Sequence, residues 1–157
     1  GITPPCRLID LGAGAGGTVR LLRSLGFEAL GIDLLPGEGV ERGDVLAPPF
    51  PPGSFDAALC ECAFFLSGDP ERALREAARL LRPGGALLFS DGCPGGEPWL
   101  RRAAERAGFR VGAVEDITDE WKRYYISALW RGEAEYPPEG AKNCRYLHAV
   151  LRKGNTA

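Results

Sequence analysis

The sequence predicts an α/β fold, a mostly parallel sheet with helices on both faces. Short apolar runs alternate along the chain with segments of helical periodicity, and that order favours parallel strands joined by covering helices. The first apolar run, LIDLG, passes directly into the glycine-rich turn GAGAGG, as a strand does when it enters a helix above a ligand. No internal repeat or low-complexity linker interrupts the alternation.

The elements follow in order. A first strand is expected over residues 7–11 and a helix over 17–25, with Val19, Leu22 and Leu25 inward and Gly26 as its stop signal. A second strand covers 29–33 and a short third one 39–43. The stretch PPFPPG reads as a rigid loop, because prolines at that density exclude regular structure. A fourth strand covers 54–60. The strongest helix covers 69–82: Asp69 is a fitting N-cap and Pro70 a fitting first position. Its Leu74, Ala77, Ala78 and Leu81 recur at helical spacing, and Pro83-Gly84-Gly85 punctuates its end. A fifth strand covers 86–90. A helix over 97–107 turns Leu100, Ala103, Ala104 and Ala107 inward, and a sixth strand covers 110–115. A helix over 119–131 carries Trp121, Tyr124, Tyr125 and Ala128 on one face, as core or as a substrate cover. A loop covers 133–143 and a last strand 145–152.

Bulk properties narrow the classes. The chain has 157 residues, a length that fits one domain spanning 1–157. Such a domain buries roughly 68–70% of its unfolded surface, enough for a core without disulfides. The net charge of −2 gives no sign of a nucleic-acid or membrane surface, and no apolar run approaches the roughly 20 residues of a membrane span. Five cysteines at irregular spacing point to a reducing compartment, the cytoplasm, rather than a secreted disulfide framework. The chain lacks methionine and opens at Gly1, so a trimmed N-terminus is expected.

Parallel α/β sheets hold ligands at the carboxyl ends of their strands. The residues there are Asp10 with Gly12–Gly17, then Asp33, then Asp44 and Val45, then Glu61 and Cys62, then Asp91. Gly12, Gly14 and Gly17 satisfy the G-x-G-x-x-G spacing of dinucleotide enzymes. Yet a rim so rich in carboxylates repels a pyrophosphate and suits a cationic ligand that carries hydroxyls and an amine. Several neighbours also have plainer readings. Asp10 and Asp44 can tie down turns, Gly84 and Gly85 are punctuation, and Asp56 braces the amino-end edge of the sheet. Asp91 faces substrate or a solvated turn. Cys60 points into the sheet, whereas Cys62 lies beyond the strand end and lines an apolar pocket with Ala63 and Phe64. His148, the single histidine, alternates with Tyr146 and Val150 and reads as half-buried and structural. No His/Cys cluster has metal-ligand spacing, so no metal site is expected.

The motifs LIDLGAGAGG, ALGIDLL, GDVLAPPF…GSFDAALCECAFFL and ALREAARLLRPGGALLFSD resemble, in order and spacing, those of class I S-adenosylmethionine-dependent methyltransferases. The likeness covers roughly residues 6–115 and is nearest to quinone-biosynthesis C-methyltransferases and arsenite methyltransferases. It implies a Rossmann-like sheet of seven strands, or slightly fewer, with an antiparallel last strand. It implies S-adenosylmethionine as cofactor and a small-molecule acceptor, with no nucleic acid or membrane as partner. Carried onto this chain, Asp10 meets the ligand's ammonium, and Gly12, Ala13, Gly14 and Gly16 let the backbone pass close to its methionyl part. Asp33, with Leu34 beside it, accepts from the two ribose hydroxyls. Asp44 accepts from the adenine amino group and the Val45 N–H meets the ring. Glu61 borders the cofactor and is the candidate catalytic residue, as a base or as a group that orients the nucleophile. Loss of Asp33 is expected to weaken the cofactor without touching ligand-free stability.

Two departures stand out against the resemblance. Only ten residues separate Asp33 from Asp44, where relatives fit a helix, so the wall beside the adenine should be thin. The helices that precede the first strand in relatives have no counterpart here. Three rivals remain: an NAD-dependent oxidoreductase, which leaves Asp10 and Asp44 without a role; a non-catalytic S-adenosylmethionine-binding partner or regulator; and an arsenite methyltransferase, which needs several thiolates around the methyl group.

Overall fold

A computed structural model of the chain describes residues 2–133 and 144–155. Seven strands form one sheet: β1 Arg7–Leu11, β2 Glu28–Asp33, β3 Glu41–Arg42, β4 Phe55–Glu61, β5 Leu81–Pro94, β6 Phe109–Asp116 and β7 Cys144–Lys153. Their spatial order is β3-β2-β1-β4-β5-β7-β6. Pairing is parallel from β3 through β5, and β7 runs antiparallel to both β5 and β6. The Rossmann-like seven-stranded sheet with an antiparallel last strand is therefore present. The chain order reverses direction across β1 and β4, which places a crevice at their carboxyl ends.

Helices α2 Pro70–Leu80 and α3 Gly96–Arg106 cover one face. Alternate residues of the strands point there, including Ile9, Leu11, Ile32, Cys60, Leu87 and Leu151, against Leu74, Ala77, Leu100 and Ala104. Each fully buried leucine in that layer contributes about 1.5–3 kcal/mol. The start of α2 is fixed as its sequence implies: the Asp69 carboxylate accepts from the Arg72 N–H at 3.0 Å and Pro70 opens the helix. Helix α1 Gly17–Ser24 lies on the opposite face, where Val19 and Leu22 pack on Leu8, Ala29, Ala57 and Leu59. A fourth helix, α4 Thr118–Trp130, joins β6 to β7. It leans on the sheet through Trp121, whose ring stacks on Tyr146 at 5.3 Å and on Tyr125 at 5.1 Å.

Four expectations need correction here; the first is Leu25, which follows the end of α1 and stands 57% exposed rather than inward. Pro83-Gly84-Gly85 does not separate helix from strand, because β5 begins at Leu81, directly after α2. The pairing steps from Phe55–Leu81 to Ala57–Ala86, and this irregularity absorbs the proline and both glycines inside the strand. Tyr124 does not share the inward face of α4; it sits at the margin of the arc formed by Thr118, Trp121, Tyr125 and Ala128, and is exposed. The third strand shrinks to Glu41–Arg42. The PPFPPG loop is rigid for a visible reason: the Arg79 guanidinium donates to the carbonyls of Phe50 at 2.6 Å and Pro48 at 2.9 Å. Asp56 does brace the amino-end edge, accepting from the Arg7 N–H at 2.8 Å and pairing with Arg82 at 2.6 Å. Of the loop expected over 133–143, everything after Glu133 lies outside the described residues.

Candidate functional site

The turn after β1 is built by backbone contacts that leave no room for side chains. Gly12 has φ +89°, and a Cβ there would lie 2.3 Å from the Cβ of Ala63, so only glycine fits between the two strand ends. The N–H groups of Gly12 and Ala13 both donate to the Ile32 carbonyl at 2.9 Å. Asp33, at the tip of β2, accepts from the Gly14 N–H at 2.9 Å through one oxygen and from the Leu35 N–H at 2.8 Å through the other. The carboxylate thus locks the glycine turn to β2 while keeping lone pairs free, since a carboxylate accepts about four hydrogen bonds. Because Asp33 carries these internal bonds, its loss must cost stability, contrary to the expectation from sequence.

A cavity of about 370 Å³ opens beside this turn, and Gly12, Asp33, Leu34, Asp44, Val45 and Cys62 are among the residues that line it. Five of the ten cofactor candidates therefore share one pocket. Asp44 uses one oxygen to accept from the Leu46 N–H at 2.8 Å, a turn role that leaves its other oxygen available. Ala13, Gly14 and Gly16 belong to the turn itself, where Gly16 caps α1 in the left-handed conformation.

Asp10 and Glu61 point to the other side of the strand ends, toward α1. Asp10 is only 3% exposed, and no hydrogen bond from the described residues reaches its carboxylate. Burial above all, then the charges of Glu61 and Asp33, push its pKa up to about 7. Glu61 is exposed and accepts from the Thr18 hydroxyl at 3.2 Å, in the first turn of α1. Its oxygens keep a sliver of contact with solvent, because no fully buried side-chain oxygen among the described residues lacks a partner, and a cation delivered to the carboxylate would offset its partial desolvation.

Asp91 overturns both of its expected roles. It faces neither substrate nor solvent but is 2% exposed. Its Oδ2 accepts from the N–H groups of Ala63 at 3.0 Å, Phe64 at 2.6 Å and Phe65 at 3.2 Å, and from the Cys60 thiol at 3.3 Å. It is the anchor of the turn that follows β4. Within that turn Cys62 takes φ +54°, the one non-glycine residue with positive φ among those described. Its Sγ lies 2.8 Å from the Tyr146 hydroxyl. The same hydroxyl lies 2.9 Å from the Ser90 carbonyl, to which it donates. Phe64 is buried in the core rather than lining the pocket. His148 is exposed, not half-buried, because the sheet face on which it stands lacks a covering helix among the described residues.

Burial raises the thiols of Cys60, Cys62 and Cys93 above the ordinary cysteine value, so they stay protonated. Among the described residues no group of three His, Cys, Asp or Glu side chains converges to hold a metal ion.

A glycine turn locked to an acidic β2 tip, at the carboxyl ends of a parallel sheet, is the arrangement of a Rossmann-like domain. Residues 9–89, slightly more than half of the chain, match the family described as methyltransferase domain, and the chain belongs to that family. It is 30% identical over 140 residues to a malonyl-[acyl-carrier protein] O-methyltransferase from Pseudescherichia vulneris, covering 82% of this chain and 55% of the relative. It is 37% identical over 101 residues to a demethylmenaquinone methyltransferase from Thermus thermophilus, covering 54% of this chain and 46% of the relative. The chain thus spans about half the length of these relatives. Among solved structures, a phosphoethanolamine N-methyltransferase 2 of Haemonchus contortus in complex with S-adenosyl-L-methionine superposes with a TM-score of 0.74 at 18% identity, covering 98% of this chain and 50% of that one. No helix of the described residues is long and apolar enough to cross a membrane.

Proposed function

We propose that the chain, as one domain over residues 1–157, is an S-adenosylmethionine-dependent methyltransferase acting on a small-molecule acceptor in the cytoplasm. The observation that carries this reading is Asp10: a buried carboxylate with no hydrogen-bond partner, beside a glycine turn, wants an ammonium. A dinucleotide brings a pyrophosphate to that place and meets repulsion instead. The lone pairs left on Asp33 suit the two ribose hydroxyls. The free oxygen of Asp44 suits the adenine amino group, with Leu34 and Val45 against the ring. Gly12, Ala13, Gly14 and Gly16 let the backbone approach the methionyl part. Glu61 borders the amino-acid end and is the candidate base or orienting group.

The bound cofactor supplies an activated methyl group on a sulfonium, so the protein's task is position, orientation and a dry site. Titration calorimetry is expected to show binding of S-adenosylmethionine or S-adenosylhomocysteine and little binding of NAD. Tight NAD binding without either nucleoside would instead establish the oxidoreductase. A non-catalytic binding partner would bind both nucleosides and transfer no methyl to any acceptor.

A further inference from the structure

The cavity beside the glycine turn has two walls of different build. One wall, formed by Gly12, Asp33 and Asp44, is tied to the sheet by its own backbone. Gly12 and Ala13 donate to the Ile32 carbonyl, and the Gly14 N–H donates to the Asp33 carboxylate. The other wall is the turn after β4, which contributes Cys62, Ala63, Leu66 and Ser67. Its link to the strand ladder is the Cys62 N–H, which donates to the Ser90 carbonyl at 3.0 Å.

Beyond Cys62 the turn is held by a side chain. Successive N–H groups that follow a left-handed residue form a concavity suited to an anion. Here the bend is Cys62 at φ +54°, and the anion is the Asp91 carboxylate, which enters from the core. Its Oδ2 receives the N–H groups of Ala63, Phe64 and Phe65, and its Oδ1 receives the Gly92 N–H at 2.7 Å. Both oxygens are engaged inside the protein, so Asp91 is out of reach of any ligand. The buried Phe64 ring, edge-on to Phe89, fastens the same turn to the core. The opposite side of the turn faces the cavity.

The two walls meet at one point. The Ala63 methyl fills the space in which a Gly12 side chain would stand. The glycine wall is fixed to β2, so the placement of the β4 turn decides how wide the cavity is. We propose that Asp91 is a positioning residue for the nucleoside. By gripping three backbone N–H groups it fixes how far Cys62 and Ala63 stand from Gly12 and Asp33, and it sets nucleoside affinity without touching the ligand. This inference rests on the methyl-transfer reading and adds a residue to the same site.

Calorimetry with S-adenosylhomocysteine tests it, on samples that circular dichroism shows to be folded at a temperature well below their melting. Asp91→Asn loosens the grip. Asp91→Glu keeps the charge and every acceptor but moves the carboxylate one methylene toward the cavity. Each folded variant should bind at least about tenfold more weakly than the native chain. A carboxylate with a merely structural role lowers the melting temperature and leaves the affinity of the folded chain unchanged. Native affinity in either folded variant overturns the proposal.

The native chain supplies a second arm that needs no variant to fold. Coupling is reciprocal, so a nucleoside that depends on the turn must stabilise the turn in return. Saturating S-adenosylhomocysteine should slow hydrogen exchange at the amides of residues 63–65 at least about tenfold more than at those of β6. These amides point to Asp91 and away from the cavity, so direct cover by the ligand does not account for such slowing. Slowing no greater than that of β6 overturns the proposal. A native chain that binds no nucleoside defeats the methyl-transfer reading beneath it. Native binding with indifferent variants or an unprotected turn defeats this inference alone.

Discussion

Burial, followed by the charges of Glu61 and Asp33, holds the Asp10 carboxyl near pKa 7, above the ordinary value of 3.8. The folded chain therefore grips that proton more tightly than the unfolded one. In the ligand-free protein Asp10 favours folding below about pH 4, and this contribution is lost as pH rises to about 7. A cationic ligand follows the opposite sign, because only the ionised carboxylate attracts an ammonium. The affinity for S-adenosylmethionine should rise with pH until about 7 and weaken below it, at the limit about tenfold per pH unit. Asp10→Asn should remove that slope, weaken binding, and raise the ligand-free melting temperature at about pH 8. Calorimetry and thermal melts of both proteins across this range check it, and a flat affinity in the native protein would detach Asp10 from the ammonium. Asp33 behaves differently, because it already works inside the fold. Asp33→Ala should lower S-adenosylmethionine affinity at least about tenfold. It should also cost about 1–3 kcal/mol of ligand-free stability in a denaturant titration, through the lost bonds to Gly14 and Leu35. Unchanged affinity would remove the β2 tip from the ribose.

Among the elements, the turn between β4 and α2 depends on a residue that is distant in sequence. Asp91 collects three successive backbone N–H groups, from Ala63 to Phe65, and thereby sets the left-handed bend at Cys62 and the place of Ala63 against Gly12. An amide can offer only one oxygen and would turn an NH₂ toward donors or toward the Cys60 thiol. Asp91→Asn should destabilise the fold by about 2–4 kcal/mol. Amide hydrogen exchange at residues 63–65 should accelerate well beyond that of β1, and equal acceleration of both would make Asp91 a general core residue. The strands and helices themselves were legible, since periodicity and caps are local: the first strand and the Asp69–Pro70 helix start stand where the pattern puts them. Asp91 was not legible, because its partners lie 26–28 residues earlier. A proline followed by two glycines hid the start of β5, because a bulged strand and a turn ask for the same residues.

For the molecule as a whole, the sheet order decides what sequence can reveal. The strand-end residues from Asp10 through Asp44 come from consecutive strands, so the sequence lays them out in the order in which the sheet sets them side by side. The register row Glu61–Ser90–His148–Glu115 follows no such order, because β7 inserts between β5 and β6 against chain order and brings His148 between two earlier residues. The same order sets a hierarchy of stability. Strands β1, β4 and β5 are paired on both sides, while β3 pairs only at Ile32 and Asp33. Hydrogen exchange followed by mass spectrometry should find the amides of β1, β4 and β5 slowest, and those of β3 and α4 among the fastest. Protection in β3 equal to that in β1 would refute this ordering. The shortness of β3 also bears on traffic through the site. Between Asp33 and Asp44 the chain runs ten residues without a helix, and Leu34 and Leu35 stand 60% and 84% exposed at the cavity wall. On the proposed reading, a bound nucleoside meets at this edge two side chains that nothing covers among the described residues. On that reading, exchange of one nucleoside for the next should therefore be fast at this open edge, and a stopped-flow exchange limited by a slow first-order step would count against it.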